Sequence, residues 1–264
     1  MSATDIFLSP HHDDVCFSLA ATVLARRGGE LINLFTRSEH VAAKLALPAD
    51  RRARVREVTR LRTEEDRAYA ARSLLRRHDL MLAEPSLLGF HPFSTRELAR
   101  EVEQLSGPLL ELLERLRTRE HPAGLTLFCP MGIGGHRNHL ATLAAVAGNL
   151  PRIRQFCRVF LYEDLPYASK PAARTRGVAS ALRLLSDERL LRLVVPLSAQ
   201  SFAEKMRVVG GYASQHAGPP APAQFIPASP LARGPHEALW RLVNRSTSPS
   251  GSRRARAQIP GAAR

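Results

Sequence analysis

Residues 6–35 read IFLSPHHDDVCFSLAATVLARRGGELINLF, and this stretch decides the fold. Ile6 to Leu8 is a short apolar run that ends at Ser9-Pro10, where proline can no longer donate to a strand ladder. Phe17 to Arg26 places Leu19, Val23 and Leu24 at helical spacing, and Gly28-Gly29 supplies the stop. A second strand follows at about Leu31 to Phe35. Strand, helix and strand within so short a span form a βαβ unit, which builds parallel sheet with right-handed crossovers.

The pattern continues downstream. A long polar helix is expected over about Asp50 to Leu75, a strand at 78–83, and a helix from Thr95 to Leu116 with Leu98, Val102, Leu105, Leu109, Leu112 and Leu116 on one face. LTLFC at 125–129 reads as a strand, Leu140 to Val146 as a helix, RVFLYE at 158–163 and LLRLVVPL at 190–197 as strands. A helix from Ser201 to about Tyr212, a proline-rich irregular loop over 218–235 and a short helix at 236–243 complete the chain. The expected fold is α/β: a Rossmann-like, mostly parallel sheet with helices on both faces. One domain is expected over 1–245, with a basic tail without apolar pattern over 246–264.

Composition narrows the function. The 264 residues carry Lys+Arg 38 against Asp+Glu 24, a formal charge of +14, and only three of the basic residues are lysines. Such a charge raises nucleic-acid binding. Against it, aromatics are 6% and the arginines lie in mixed-charge helices rather than on one basic, aromatic-interleaved face. Five arginines and no acid follow Asn244, and the remaining excess is compatible with an anionic substrate. No nucleic-acid partner is expected. Cys16, Cys129 and Cys157 form no CxxC pair, so neither a disulfide framework nor a cysteine zinc site is indicated. The N-terminus has no signal-like region, and no window approaches the roughly 20 apolar residues of a membrane span. The expectation is a cytoplasmic protein without a membrane partner; a homo-oligomer is left open.

In a doubly wound sheet the site lies beyond the carboxyl ends of the strands, where strand order reverses. Two polar loops stand at such ends. The first is Ser9-Pro10-His11-His12-Asp13-Asp14; the second is Gly132-Ile133-Gly134-Gly135-His136-Arg137-Asn138-His139. His11 and Asp14, three apart at a strand-to-helix turn, can face one point, and His139 can reach it across the crevice. Two imidazoles, a carboxylate and an open position describe a catalytic zinc site. Asp13 beside it suits a general base toward water. A protonated His136 would stabilise an oxyanion and assist a leaving amine. Each motif has a plainer reading as well, since an Asp-Asp pair after a strand serves often only to cap a helix. The GxGG run lacks the spacing of a dinucleotide loop.

The PHHDD and GGHRNH segments resemble the two signature loops of the PIG-L/LmbE-like zinc-dependent N-acetylglucosaminyl deacetylase family. Arg62-x-x-Glu65-Asp66, Tyr162 to Ala168, Lys205 and Tyr212 to Gln215 agree with it too, so the resemblance spans about residues 4–243. It implies a Zn2+ cofactor held by His11, Asp14 and His139, with Asp13 as base and His136 stabilising the tetrahedral intermediate. The implied substrate is an N-acyl, most simply N-acetyl, amino-sugar or glycosylated small molecule. Arg62, Arg37 and Tyr167 are expected at the substrate. Arg62 alternatively pairs with Glu65 or Asp66 on the helix surface, Tyr167 and Tyr212 alternatively pack in the core, and Asp164 is expected to brace the turn before Pro166.

Two departures from the family pattern matter. His12 stands where a proline or apolar residue is usual, and is expected to face solvent or lie behind the ligands. Asn138 replaces the aspartate expected to orient His136 and favour its charged form. A neutral amide raises a histidine less, so a weaker acid and a lower pH optimum are expected. Other readings are an amidase of thiol conjugates and a non-catalytic binder that has lost the reaction through Asn138.

Overall fold

Thr4–Ser9 (β1) pairs in parallel with Gly29–Asn33 (β2) on one side and with Leu125–Pro130 (β4) on the other. The structure, a computed structural model, describes residues 3–120, 124–229 and 232–244. The expected tail at 246–264 lies outside them. Among the described residues one sheet runs in the order β3-β2-β1-β4-β5-β7-β6, where β3 is Leu75–Asp79, β5 Cys157–Tyr162, β6 Glu188–Pro196 and β7 His236–Asn244. The first five strands in that order are parallel; β7 and β6 close the far edge antiparallel. Ile6, Phe7, Leu8, Leu127 and Phe128 have no exposed surface. Strands covered on both faces need continuous apolar runs rather than alternation, which is what IFL and LTLF supply.

The helices are α1 (Asp14–Arg26), α2 (Arg51–Ser73), α3 (Leu98–Glu120), α4 (Arg137–Gly148), α5 (Leu150–Ile153), α6 (Pro171–Leu184) and α7 (Ala199–Val209). They cover the two faces as expected, α1 against α2 and α7, and α4 against α3 and α6. Local chemistry sets their ends. Asp50 caps α2 by accepting from the Ala53 amide at 2.8 Å, and Ser198 caps α7 through the Ser201 amide at 3.1 Å. Gly29 starts β2 at φ 124°, where a Cβ would stand 2.5 Å from the Asp5 carbonyl oxygen. The first βαβ unit therefore requires glycine at that turn.

Three expectations are corrected. The run 236–243 is a strand, not a helix: its residues pair with both β5 and β6, and tertiary pairing overrides helix propensity in so short a segment. The third strand occupies 75–79 rather than 78–83. Met81, at φ 56°, breaks the extended run, although backbone bonds from Leu80 to Asn33 and from Leu82 to Leu34 keep it beside β2. Two helices, α5 and α6, have no counterpart among the expected elements. No helix among the described residues is long and apolar enough to cross a membrane.

The misread strand carries a buried ion pair. The Glu237 carboxylate accepts from the amides of Ala21 and Thr22 (3.0 and 2.9 Å), the Thr22 hydroxyl (2.6 Å) and the Lys205 ammonium (2.9 Å). Both Glu237 and Lys205 are fully buried. The cluster ties β7, α1 and α7 together. Removing one partner strands the other charge in a dry place, at a cost of about 3–5 kcal/mol. Glu237→Ala should lose stability on that scale in denaturant titration, whereas Glu237→Leu with Lys205→Met should lose much less. Equal losses from the two proteins would contradict this account.

Candidate active site

Strand order reverses between β1 and β4, and both polar loops sit at that point. The loop after β1 presents His11, His12, Asp13 and Asp14; the loop after β4 presents His136 and His139. Asp14 opens α1 and one of its carboxylate oxygens accepts from the His11 amide at 2.7 Å. That oxygen lies 3.2 Å from His11 Nδ1, and the other lies 3.3 Å from His139 Nε2. His11, Asp14 and His139 thus converge as predicted.

The outer nitrogens of both imidazoles are occupied. His139 Nδ1 meets the Asp164 carboxylate at 2.7 Å, and His11 Nε2 meets the Asn138 side-chain oxygen at 2.9 Å. Such partners fix tautomer and ring orientation and leave the inner lone pairs for a cation. This donor set fits a zinc ion. Ligand atoms of His11, His136 and His139 also lie within 4.8 Å of one another, as do those of His11, Asp13 and Asp14.

Asp13 stands at the N-cap position of α1 but makes no side-chain capping bond. Instead its Oδ1 accepts from the Arg62 guanidinium at 3.1 Å. Arg62 is 3% exposed, so it is no surface partner of Glu65 or Asp66. Its second amino group donates to Glu84 and to the Ser38 hydroxyl. Glu65 instead holds Ser214, and Asp66 is tied to Asn33, Arg77 and Tyr212.

His136 is the N-cap of α4, and its Nδ1 accepts from the Asn138 amide at 3.3 Å. The proton of the neutral ring is therefore on Nε2. Burial, followed by the charges of His11 and His139, pushes His136 down to about 2. This corrects the expected imidazolium. Asn138 is corrected too: its backbone amide bonds His136, but its side chain bonds other partners. Its oxygen serves His11, while its Nδ2 donates to Glu101, which Arg137 pairs at 2.6 Å. The expected shift of pH optimum through an Asn138–His136 contact thus loses its basis.

These groups enclose a cavity of about 260 Å³ lined by His11, Asp13, Asp14, Arg62, His136 and Tyr167, with Phe17, His40, Glu84, Phe93 and Gln215 among the rest. Tyr167 passes so close to Gly134 that a Cβ there would fall 2.3 Å from its ring, and Gly134 has φ 96°. Glycine at this position lets the aromatic wall close. Tyr212 is in the core, 1% exposed. Arg37 is not brought to this cavity; it lines a neighbouring one. His12 is 1% exposed, contrary to a solvent-facing role; burial and then the Arg62 and Arg77 charges push it down to about 2. Expected to brace the turn before Pro166, the Asp164 carboxylate instead braces the glycine loop through the Met131 and Ile133 amides and orients His139. Glu84 and Glu101 gave no sequence signal: each is one acid among many, and only packing brings it to the site.

No protein-family model matches the chain. Over 221 residues it is 31% identical to the 2'-N-acetylparomamine deacetylase of Streptomyces fradiae, which covers 80% of this chain and 72% of that protein. Its fold resembles a deacetylase of teicoplanin biosynthesis solved in complex with teicoplanin, with TM-score 0.66, 18% identity, and 93% and 100% of the two chains covered. It also resembles the A40926 pseudoaglycone deacetylase, with TM-score 0.63, 17% identity, and 92% and 98% covered.

Two outcomes follow from the geometry. Burial alone would lower His139, but Asp14 and Asp164 raise it to about 10. Zinc needs the neutral ring, so binding expels a proton, and zinc affinity should rise about tenfold per pH unit between about pH 6 and pH 8. Competition with a chelator of known affinity checks this; a flat profile would exclude it. Asn138→Asp would set two carboxylates against each other at Glu101. It should weaken zinc binding by about 10–100-fold, and Glu101→Gln in the same chain should restore it. No rescue would refute the pairing.

Proposed function

The chain belongs to the same family as the 2'-N-acetylparomamine deacetylase, and on that premise we propose that it is a deacetylase of the PIG-L/LmbE-like group. Its substrate in this reading is a small glycosylated molecule bearing an N-acyl, most simply N-acetyl, amine on a sugar ring. The observation that carries the reading is one cavity lined by His11, Asp14 and the Arg62-tethered carboxylate of Asp13, with His139 meeting Asp14 from behind its wall. A cavity of about 260 Å³ matches a short acyl group and the ring that bears it.

His11, Asp14 and His139 would hold zinc, which when bound supplies Lewis-acid polarisation of the acyl carbonyl and a more acidic water. Asp13 takes the proton of the attacking water, with its carboxylate aimed by Arg62. His136 donates its Nε2 proton as a hydrogen bond to the oxygen that gains charge in the tetrahedral intermediate. Because His136 is held neutral, the proton that reaches the departing amine is the one Asp13 has taken. Acetate and a free amino-sugar result. Tyr167 and Phe93 form the wall on which a sugar ring rests.

The test is acetate release from N-acetylated aminoglycosides and amino-sugars by zinc-loaded protein, followed by mass spectrometry. Asp13→Ala should lower the rate by about 10²–10⁴-fold while zinc stays bound. Product formed equally by both proteins would discard the mechanism. Zinc binding with no cleavage of any such amide would favour a non-catalytic binder.

A further inference from the structure

A second and larger cavity, about 620 Å³, opens beside the catalytic one. It lies between the first turns of α2 and the segment that follows β3, on the side of the sheet where the strands end and where ligands of such folds bind. Its lining is unusual in charge. Arg37, Arg52 and Arg56 all reach it, and none of the three makes a side-chain hydrogen bond or ion pair among the described residues. Nearby Arg51 is held by Glu39 and the Ser86 carbonyl, and Arg60 by Glu57 and Glu64. No carboxylate belongs to the lining. All three are exposed, as are other arginines without an acid partner such as Arg176 and Arg183; what marks this group is that three such guanidinium groups meet at one cavity with an apolar floor.

The floor is apolar: Val55, Leu87 and Met81, the last 49% exposed. Met81 is also held at φ 56°, a left-handed conformation that is strained for a side-chain-bearing residue and gathers at ligand sites. A thin wall separates this cavity from the catalytic one. Thr59 lines the first and accepts from the Ser38 amide at 3.1 Å; the Ser38 hydroxyl bonds Glu84 at 2.6 Å, and Glu84 lines the second.

We propose that this groove binds an organic phosphate, with its anionic groups on Arg37, Arg52 and Arg56 and its carbon skeleton over Val55, Met81 and Leu87. Guanidinium groups present paired donors that match phosphate oxygens. The volume lies within the range of small-molecule sites. This site is separate from the acyl-amide cavity and stands whether or not the deacetylase reading holds.

Isothermal titration calorimetry of the full chain, with EDTA present to remove metal–phosphate contacts, tests it with adenosine diphosphate, inorganic pyrophosphate and adenosine. Adenosine diphosphate should bind, pyrophosphate more weakly, and adenosine not measurably. Arg52→Ala with Arg56→Ala should weaken the diphosphate by about tenfold or more, which one lost charge-assisted hydrogen bond supplies. Arg189→Ala with Arg241→Ala removes the same charge from β6 and β7 at the opposite sheet edge and should leave binding unchanged. Equal loss in both pairs, no loss in the groove pair, adenosine binding as tight as the diphosphate, or no diphosphate binding at all would each overturn the proposal.

Discussion

The Asp14 carboxylate, buried between two imidazoles, is the interaction around which the two loops are shaped. Burial by itself favours the neutral acid, but His139 and His11 hold Asp14 well below the usual carboxylate range. A buried charge is tolerable only when it is paired and hydrogen-bonded. Every partner must in turn be anchored. The His11 amide and ring meet Asp14 from one loop, and His139 meets it from the other. Asp164 and Asn138 hold the far sides of the rings, and Glu101 and Arg137 hold Asn138 in place. The chain of contacts runs from the centre of the sheet to α3 without a gap.

Arginine does much of this anchoring, which changes the meaning of the chain's positive charge. Arg62 bridges Asp13 and Glu84, Arg137 holds Glu101, and Arg174 with Arg192 holds Glu163. A planar fork presents its donors in fixed directions, so one guanidinium can bridge two carboxylates held apart, as Arg62 does. Part of the basic excess is thus internal framework. The unpaired arginines of the second cavity are a different population, exposed and free to meet an anion.

The antiparallel edge shows how distant segments are recruited to the same core. β7 comes from the last described stretch of the chain, yet it inserts between β5 and β6. From there Glu237 reaches α1, the helix that carries Asp14, through the backbone of Ala21 and Thr22. The helix that follows the first of the two polar loops is therefore tied down by a contact more than two hundred residues away in sequence.

Much of the fold was legible because periodicity and punctuation report burial locally. The apolar runs Ile6–Leu8 and 125–129 and the glycine stop before β2 all act within a few residues of themselves. The two loops that gather His11, Asp13, Asp14, His136 and His139 were legible for the same reason: they follow strand ends. The sequence by itself determined the βαβ framework, the identity of those loops and the residue types available to hold a metal. Only the tertiary structure decided that Asn138 serves His11 rather than His136, that Arg62 turns inward to Asp13, that Arg37 belongs to another cavity, and that 236–243 is a strand. These are questions of which polar group meets which. Their answers depend on how elements far apart in the chain pack, because a buried hydrogen bond is selected by the partners packing leaves available, not by the neighbours a residue has in sequence.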